Sequence, residues 1–527
     1  MTRELKTLGS QQFDLLIVGA GVYGAALACE ASRQGFSVAI VDRGDFASGS
    51  SSNSLKILHG GLRYLQQLDL PRMRSSIRAR RGWAQLAPNF VTPLACAIAT
   101  TGLGSRSVAA LSAALLANEL VSFDRNHGIR KANHLPAARL MSKNEYAAVT
   151  DGLRSIANTR GALWWDALAL DTERLVLELL ARAADHGAAI ANYVEVKSLV
   201  TASGAVRGAV AVDVDSGGEF EIRASRVICT GSAVASEFIE AVPGLRHIAR
   251  RPRCHALNLI VARTLPTRTA LALSAQSSTS GAKSRKGDLF FVPWKDRTLV
   301  GTHYTMADGQ AMSMQRRRQV IGEFLELIDA AAPQWSIREA DITFVHWGDL
   351  PVDSRWRQGE PIRLSGHAEV IDGGAAQLAG LWLMSGPKFT TALEAARAML
   401  PRVTRNLEPS LRVDNGASSP FSDGLLRLDE ANGLEAKAEL AASVLQARRL
   451  QDVVLRRLGC GTGGYPGRSA LDACARGMAR ALGWPEAKID AEIAALEQHY
   501  RDWHFWTPPE HGNAGVVASE RPHAYAS

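Results

Sequence analysis

Residues 13–42, FDLLIVGAGVYGAALACEASRQGFSVAIVD, constrain the fold more than any other part of this 527-residue chain. An apolar run over 13–18 reads as a buried strand. It breaks at Gly19-Ala20-Gly21-Val22-Tyr23-Gly24, and an Ala-rich helical stretch follows to about Gln34. A second β-like run over 37–41 ends on Asp42. Each part has a physical task in a dinucleotide-binding βαβ unit. Gly19 allows the tight turn, Gly21 lets a pyrophosphate approach the backbone, and Gly24 lets helix and strand pack closely. The helix N-terminus offers unpaired N–H groups to the phosphates. Asp42 is placed to accept hydrogen bonds from ribose hydroxyls. Alone, a G-x-G-x-x-G is weak; here strand, glycines, helix, second strand and acid all coincide.

Composition fits globular enzyme material, with 46% hydrophobic and 21% charged residues. The length admits two to four domains. The formal net charge of +8 suits an anionic substrate, an acidic surface or simply a solvated basic face. No basic helix with interleaved aromatics and no zinc-finger spacing marks a nucleic-acid binder. The cysteines at 29, 96, 229, 254, 460 and 474 show no CxxC pair, so buried free thiols and a reducing, cytoplasmic setting are expected. The first residues lack the apolar region of a signal peptide. The longest apolar stretch, 108–123, is too short and too polar at Asn118-Glu119 to span a bilayer. It reads as a half-buried helix, a helix lying on a membrane surface, or a cover over a pocket. The histidines show no metal-ligand spacing, and no metal is expected.

The segment 45–65, DFASGSSSNSLKILHGGLRYL, carries the second signal. Its serines, followed at once by Lys56, His59, Gly60, Gly61, Leu62 and Arg63, do not have linker composition. Ser51, Ser52, Lys56, Ile57, His59, Gly60, Gly61, Leu62, Arg63, Tyr64 and Leu65 resemble the motif of the FAD-dependent glycerol-3-phosphate dehydrogenases. Further stretches are similar to that family: Trp165-Asp166, Asp171–Leu175, Tyr193–Val196, Arg226–Gly231, Phe290–Trp294, Thr298–Thr302, Ser385–Thr391 and the C-terminal 452–500.

The resemblance implies an α/β fold: an FAD-binding Rossmann-like domain with an inserted β-rich substrate domain and a C-terminal helical domain. The cofactor domain is expected from pieces at about 11–105, 150–250 and 365–400, with the substrate domain mainly at 251–364. The Pro- and Gly-rich stretch 401–440 reads as a linker, 441–505 as helical and 506–527 as a tail. FAD is expected to be held non-covalently. Its implied ligands are Gly19, Gly21, Tyr23, Gly24, Asp42, Ser51, Ser52, Lys56, His59, Gly60, Gly61, Leu62, Val196, Thr230, Gly231, Gly386, Lys388, Phe389 and Thr390. The implied reaction takes a secondary alcohol to a ketone, with electrons passing on to a quinone or another acceptor. His59 and His255 match histidines of the family and are candidate bases, although a structural hydrogen-bonding role suits His59 equally. Lys388 is the candidate for stabilising the reduced flavin or an anionic substrate.

On the substrate side the chain departs from the family. Its phosphate arginine falls at Leu350 beside Asp349, read as an unpaired carboxylate. A second falls near Ser365-Gly366-His367, and the family's Tyr-Arg pair is replaced by Ala392-Leu393. His303-Tyr304 stands where an Asp is expected. Arg63, Arg253, His303 and Arg363 are the remaining candidates for substrate contact, with Arg355, Arg357 and His346 beside them. A changed substrate is expected from this pattern, with glycerol 3-phosphate still the best single choice. An amine or amino-acid oxidase and a flavin-binding protein without turnover are the alternatives.

Overall fold

Buried strands with no polar alternation belong to parallel sheets covered on both faces, and LLIV and VAIV are such runs. In the computed structural model, which describes residues 3–102, 104–154, 159–274, 288–307, 312–411 and 419–504, they lie side by side. Strand Gln12–Val18 pairs in parallel with Val38–Val41 on one side and with Glu219–Thr230 on the other. Ala189–Ala191 and Leu381–Ser385 extend the parallel sheet outward, and Glu369–Asp372 closes one edge antiparallel. An antiparallel meander, Val194–Ala202 and Ala205–Asp213, leads into Glu219–Thr230. Helix Val22–Arg33 packs between helices Thr172–Asp185 and Ala392–Val403.

The second sheet runs Ile342–Pro351, Arg253–Val261, Arg297–Met306, Asp288–Trp294, Thr269–Ser274, Val91–Ala99, Gly161–Ala169 and Ile57–Leu58. All neighbours along it are antiparallel except Thr269–Ser274 and Val91–Ala99. Odd-numbered positions of Arg253–Val261, Leu257 and Leu259 among them, pack in one core with Phe324 and Ile328 of helix Met314–Ala331. Strands Val91–Ala99 and Gly161–Ala169 pair along their whole length, from Val91↔Ala169 to Ala99↔Gly161. They therefore belong to this sheet, whereas the expected partition put them in cofactor-domain pieces. Nothing in their apolar patterning says which sheet will recruit them, because the partner strands are distant in sequence.

The 401–440 stretch holds more helix than a linker. Ser419 caps Pro420–Glu430, its side chain accepting from the Ser422 N–H, with Pro420 at the start of the helix where its missing N–H costs nothing. Leu434–Val444 follows. The Asn415-Gly416 pair of that stretch and the tail lie outside the described residues. The C-terminal helices Arg468–Leu482 and Glu486–His504 complete the chain's described part.

Between these parts runs a buried charge network. The Asp45 carboxylate accepts from Arg456 Nε, from both terminal nitrogens of Arg457 and from Asn192 Nδ2. Asp452 accepts from Arg456 and from the Tyr193 hydroxyl. All six thiols are free. Residues 108–121 form a helix that buries Leu111 and Leu115 and leaves Leu116 and Leu120 more than 60% exposed (64% and 68%).

Candidate active site

The two sheets enclose a cavity of about 1980 Å³, ample for a dinucleotide plus a small substrate. One end is the glycine turn. Gly19 has φ +103°, and a Cβ there would sit 2.9 Å from the Thr230 backbone. A Cβ on Gly24 would lie 1.9 Å from the Gly19 carbonyl oxygen, so helix and strand pack closely only because it is glycine. Gly24 thus shapes the turn from behind and is not part of the lining. Gly21 is the N-cap and makes no side-chain cap bond; the Val22 N–H donates to Ser51 Oγ at 2.9 Å. Asp42 braces the turn, accepting from the Ala20 N–H (2.7 Å) and the Gly44 N–H (2.9 Å). Burial pushes its carboxyl up, and those two N–H bonds act against the rise.

Thr230 and Gly231 line the same end, with Ser51 and Ser52 facing them along the serine loop. Thr230 Oγ1 donates to the Gly19 carbonyl at 2.9 Å. Residues 385–391 form another wall, through Gly386, Lys388, Phe389 and Thr390. That loop is held by its main chain: the Tyr23 hydroxyl donates to the Lys388 carbonyl (2.9 Å) and Trp83 Nε1 to the Thr390 carbonyl (2.9 Å). Burial pushes the Tyr23 hydroxyl up to about 12, so it stays protonated and a donor. The open turn, the glycine positions a side chain would fill and the serine hydroxyls fit FAD, and Gly19, Gly21, Asp42 and Ser51 are the residues that would hold its nucleotide end.

Other expected residues are placed differently. Lys56 is buried and takes φ +62°. Its ammonium is committed to Glu173 (2.9 and 3.0 Å), Thr172 (2.9 Å) and the Ser52 carbonyl (3.2 Å). Its charge therefore holds the serine loop to helix Thr172–Asp185. The Gly60 N–H donates to Asp166, and a Cβ there would strike Arg80; Gly60 is packing, while Gly61, Leu62 and His59 line the cavity. Val196 lies in the meander away from the lining. His255 is absent from the described lining, whereas Arg253, Ala256 and Asn258 of its strand are in it. His303 does line the cavity, and its ring stacks on Phe324 (5.2 Å between centroids). His346 is buried and its Nδ1 donates to the Ser54 carbonyl at 2.9 Å; burial and then nearby Lys56 hold it well below the usual histidine value.

Asp349 is not the unpaired carboxylate expected: Arg253 Nε binds it at 2.7 Å. That bond also removes Arg253 as a free countercharge. Arg355 is paired with Asp353 (3.0 Å) and exposed. Arg363 stands exposed at the rim, and the Arg63 side chain lies outside what the structure describes. What gathers at this end is Lys388, Tyr64 and Arg72. Lys388 Nζ donates to Tyr64 Oη at 2.5 Å and to the Gly366 carbonyl at 3.3 Å. The Arg72 guanidinium lies over the Tyr64 ring, 4.3 Å from its centroid. Sequence reading missed Arg72. The signal was Asp69-Leu70-Pro71, an N-cap and proline that open helix Leu70–Leu86 and set Arg72 in its first turn.

Residues 14–402 match the model of the family described as FAD dependent oxidoreductase, and the chain belongs to that family. It is an FAD-dependent oxidoreductase, glycerol-3-phosphate dehydrogenase-like in sequence. It is 27% identical to glycerol-3-phosphate dehydrogenase 2 of Mycobacterium bovis, over 93% of this chain and 88% of the relative. It is 26% identical to the glycerol-3-phosphate dehydrogenase of Synechocystis sp., over 77% and 73%. Its fold is similar to that of the Bacillus halodurans glycerol-3-phosphate dehydrogenase complexed with FAD, with a TM-score of 0.65 at 19% identity, covering 95% of this chain and 98% of that one.

Proposed function

We propose that this enzyme oxidises the secondary alcohol of glycerol 3-phosphate, or of a closely related small polyol phosphate or hydroxy compound. The carrying observation is the Lys388–Tyr64 pair in the cavity wall. A lysine ammonium held against a phenol oxygen makes a positive, polar seat for an anionic alcohol. Bound FAD supplies the hydride acceptor. His59 lines the cavity beside Tyr64, the ring centroids 6.1 Å apart, and is proposed to take the hydroxyl proton. Arg63, next to Tyr64 in the motif, is proposed to contact substrate, and Arg363 to meet it from the rim.

Electrons would leave to a quinone or another acceptor. Among the described residues no helix is long and apolar enough to cross a membrane. The exposed Leu116, Leu120 and Phe123, with Leu68, support the reading of a cytoplasmic enzyme that touches a membrane surface. Anaerobic addition of glycerol 3-phosphate to the holoenzyme tests the substrate. Rapid bleaching of the flavin absorbance supports it. A spectrum that stays oxidised refutes it, and bleaching by amino acids instead would move the enzyme to C–N oxidation.

A further inference from the structure

We infer that Arg72 binds the anionic group of the substrate, supplying from helix Leu70–Leu86 the guanidinium that the strand Ile342–Pro351 and residues 365–367 lack. The inference rests on the reading above that the substrate is an anionic alcohol, and it names the residue that recognises the anion.

The Arg72 backbone is fixed: its N–H donates to the Asp69 cap at 3.1 Å. Its side chain is not committed. Nε is buried with no acceptor, and no ion pair or hydrogen bond reaches the guanidinium among the described residues. Its neighbours are the Tyr64 ring on which it rests and Gly366. A Cβ at 366 would lie 3.2–3.3 Å from three guanidinium atoms, so glycine there makes the room that the group occupies. The charged and titratable groups around it are Lys388, whose ammonium is 4.8 Å from the same Tyr64 centroid, Asp69, occupied as the helix cap, and His367.

The half-buried Arg72 side chain lines the cavity, and its Nε, out of water and without an acceptor, is costly unless a ligand completes the group. Three other cations of the lining are spent: Arg253 on Asp349, Arg355 on Asp353, Lys56 on Glu173. Arg72 and Lys388 flank one tyrosine and both line the cavity. A planar fork beside a point charge matches a tetrahedral phosphate, the fork taking two oxygens and the ammonium a third.

The test uses the holoenzyme, with inorganic phosphate as a probe in calorimetry and glycerol 3-phosphate as substrate. Arg72→Gln is expected to raise the phosphate Kd and the substrate KM about 10- to 100-fold, with kcat changed far less and flavin content retained. Arg72→Lys should recover part of the loss. Gly366→Ala, which crowds the guanidinium without removing it, should shift KM in the same direction and serves if Arg72→Gln loses flavin. Unchanged KM and Kd in these variants overturn the inference. If glycerol 3-phosphate does not reduce the wild-type flavin, the substrate reading fails separately. Arg72 is then judged on phosphate alone: binding lost in Arg72→Gln supports it, and binding that is equal, or absent in the wild type, overturns it.

Discussion

Removing the Asp45 carboxylate should unfasten the C-terminal segment from the cofactor sheet. In Asp45→Ala, Arg456 keeps Asp452, but Arg457 keeps only the Leu445 carbonyl. Both arginines are buried, so the variant leaves a guanidinium out of water without a countercharge. Breaking a buried pair from one side costs about 3–5 kcal/mol, a large share of a typical stability of about 5–15 kcal/mol. Urea unfolding followed by tryptophan fluorescence should report a loss of that size. Asp45→Ala/Arg457→Leu should recover part of it, because an apolar pair of similar volume needs no compensation. The pH dependence follows from the same bonds. Burial pushes the Asp45 carboxyl up, yet Arg457 and Arg456 outweigh burial and hold it down to about 2, against 3.8 for a free Asp. A depressed carboxyl contributes stability above its unfolded value and loses it as pH falls from about 4 toward 2. That acid-side loss should be missing in Asp45→Ala. A cost below about 1 kcal/mol, far under the buried-pair range, or a double variant no more stable than the single one, would refute the reasoning.

Gly24→Ala places a methyl 1.9 Å from the Gly19 carbonyl oxygen, and the purified variant should carry no flavin absorbance near 450 nm, on the order of a few per cent of wild type at most. Lys56→Met orphans buried Glu173 and should cost about 3–5 kcal/mol in urea unfolding, whereas Lys56→Met/Glu173→Gln should recover part of the loss; full additivity of the two single changes would dismiss the pair as a structural tie. Burial and then Arg456 hold His499 down to about 4, below the free value of 6.5. Its neutral form is favoured on folding, so stability held above pH 6.5 should fall as pH drops toward 4, and His499→Gln should flatten the melting-temperature profile there.

The nucleotide end was legible because its demands are local: a turn, a helix start and a strand-end acid lie within 30 consecutive residues, and each restricts residue type. The serine loop was legible as a ligand-facing segment, and it lines the cavity, but the task of each member was not. Lys56 looks like a ligand in the motif and is closed off by Glu173, 117 residues on. Such pairs leave no local trace. The substrate end was misread for a similar reason: Arg253 and Asp349 sit on neighbouring strands and cancel, while Arg72, outside every motif stretch, reaches the cavity from a helix mouth. The sheet partition failed where recruitment depends on strands distant in sequence, as with Val91–Ala99 and Gly161–Ala169.

The loop 385–391 is held at Lys388 and Thr390 by their carbonyl oxygens, one gripped by Tyr23 and the other by Trp83. Every residue type carries that oxygen, so the grip is indifferent to which side chains the loop presents. Of the groups proposed to meet substrate only Lys388 lies in this loop; the others come from residues 59–72 and the rim near Arg363. Recognition can therefore drift through side-chain exchange while the scaffold under the cofactor stays still. The unusual arginine pattern of this chain is what such a division of labour leaves behind: a fixed posture with a renegotiated clientele.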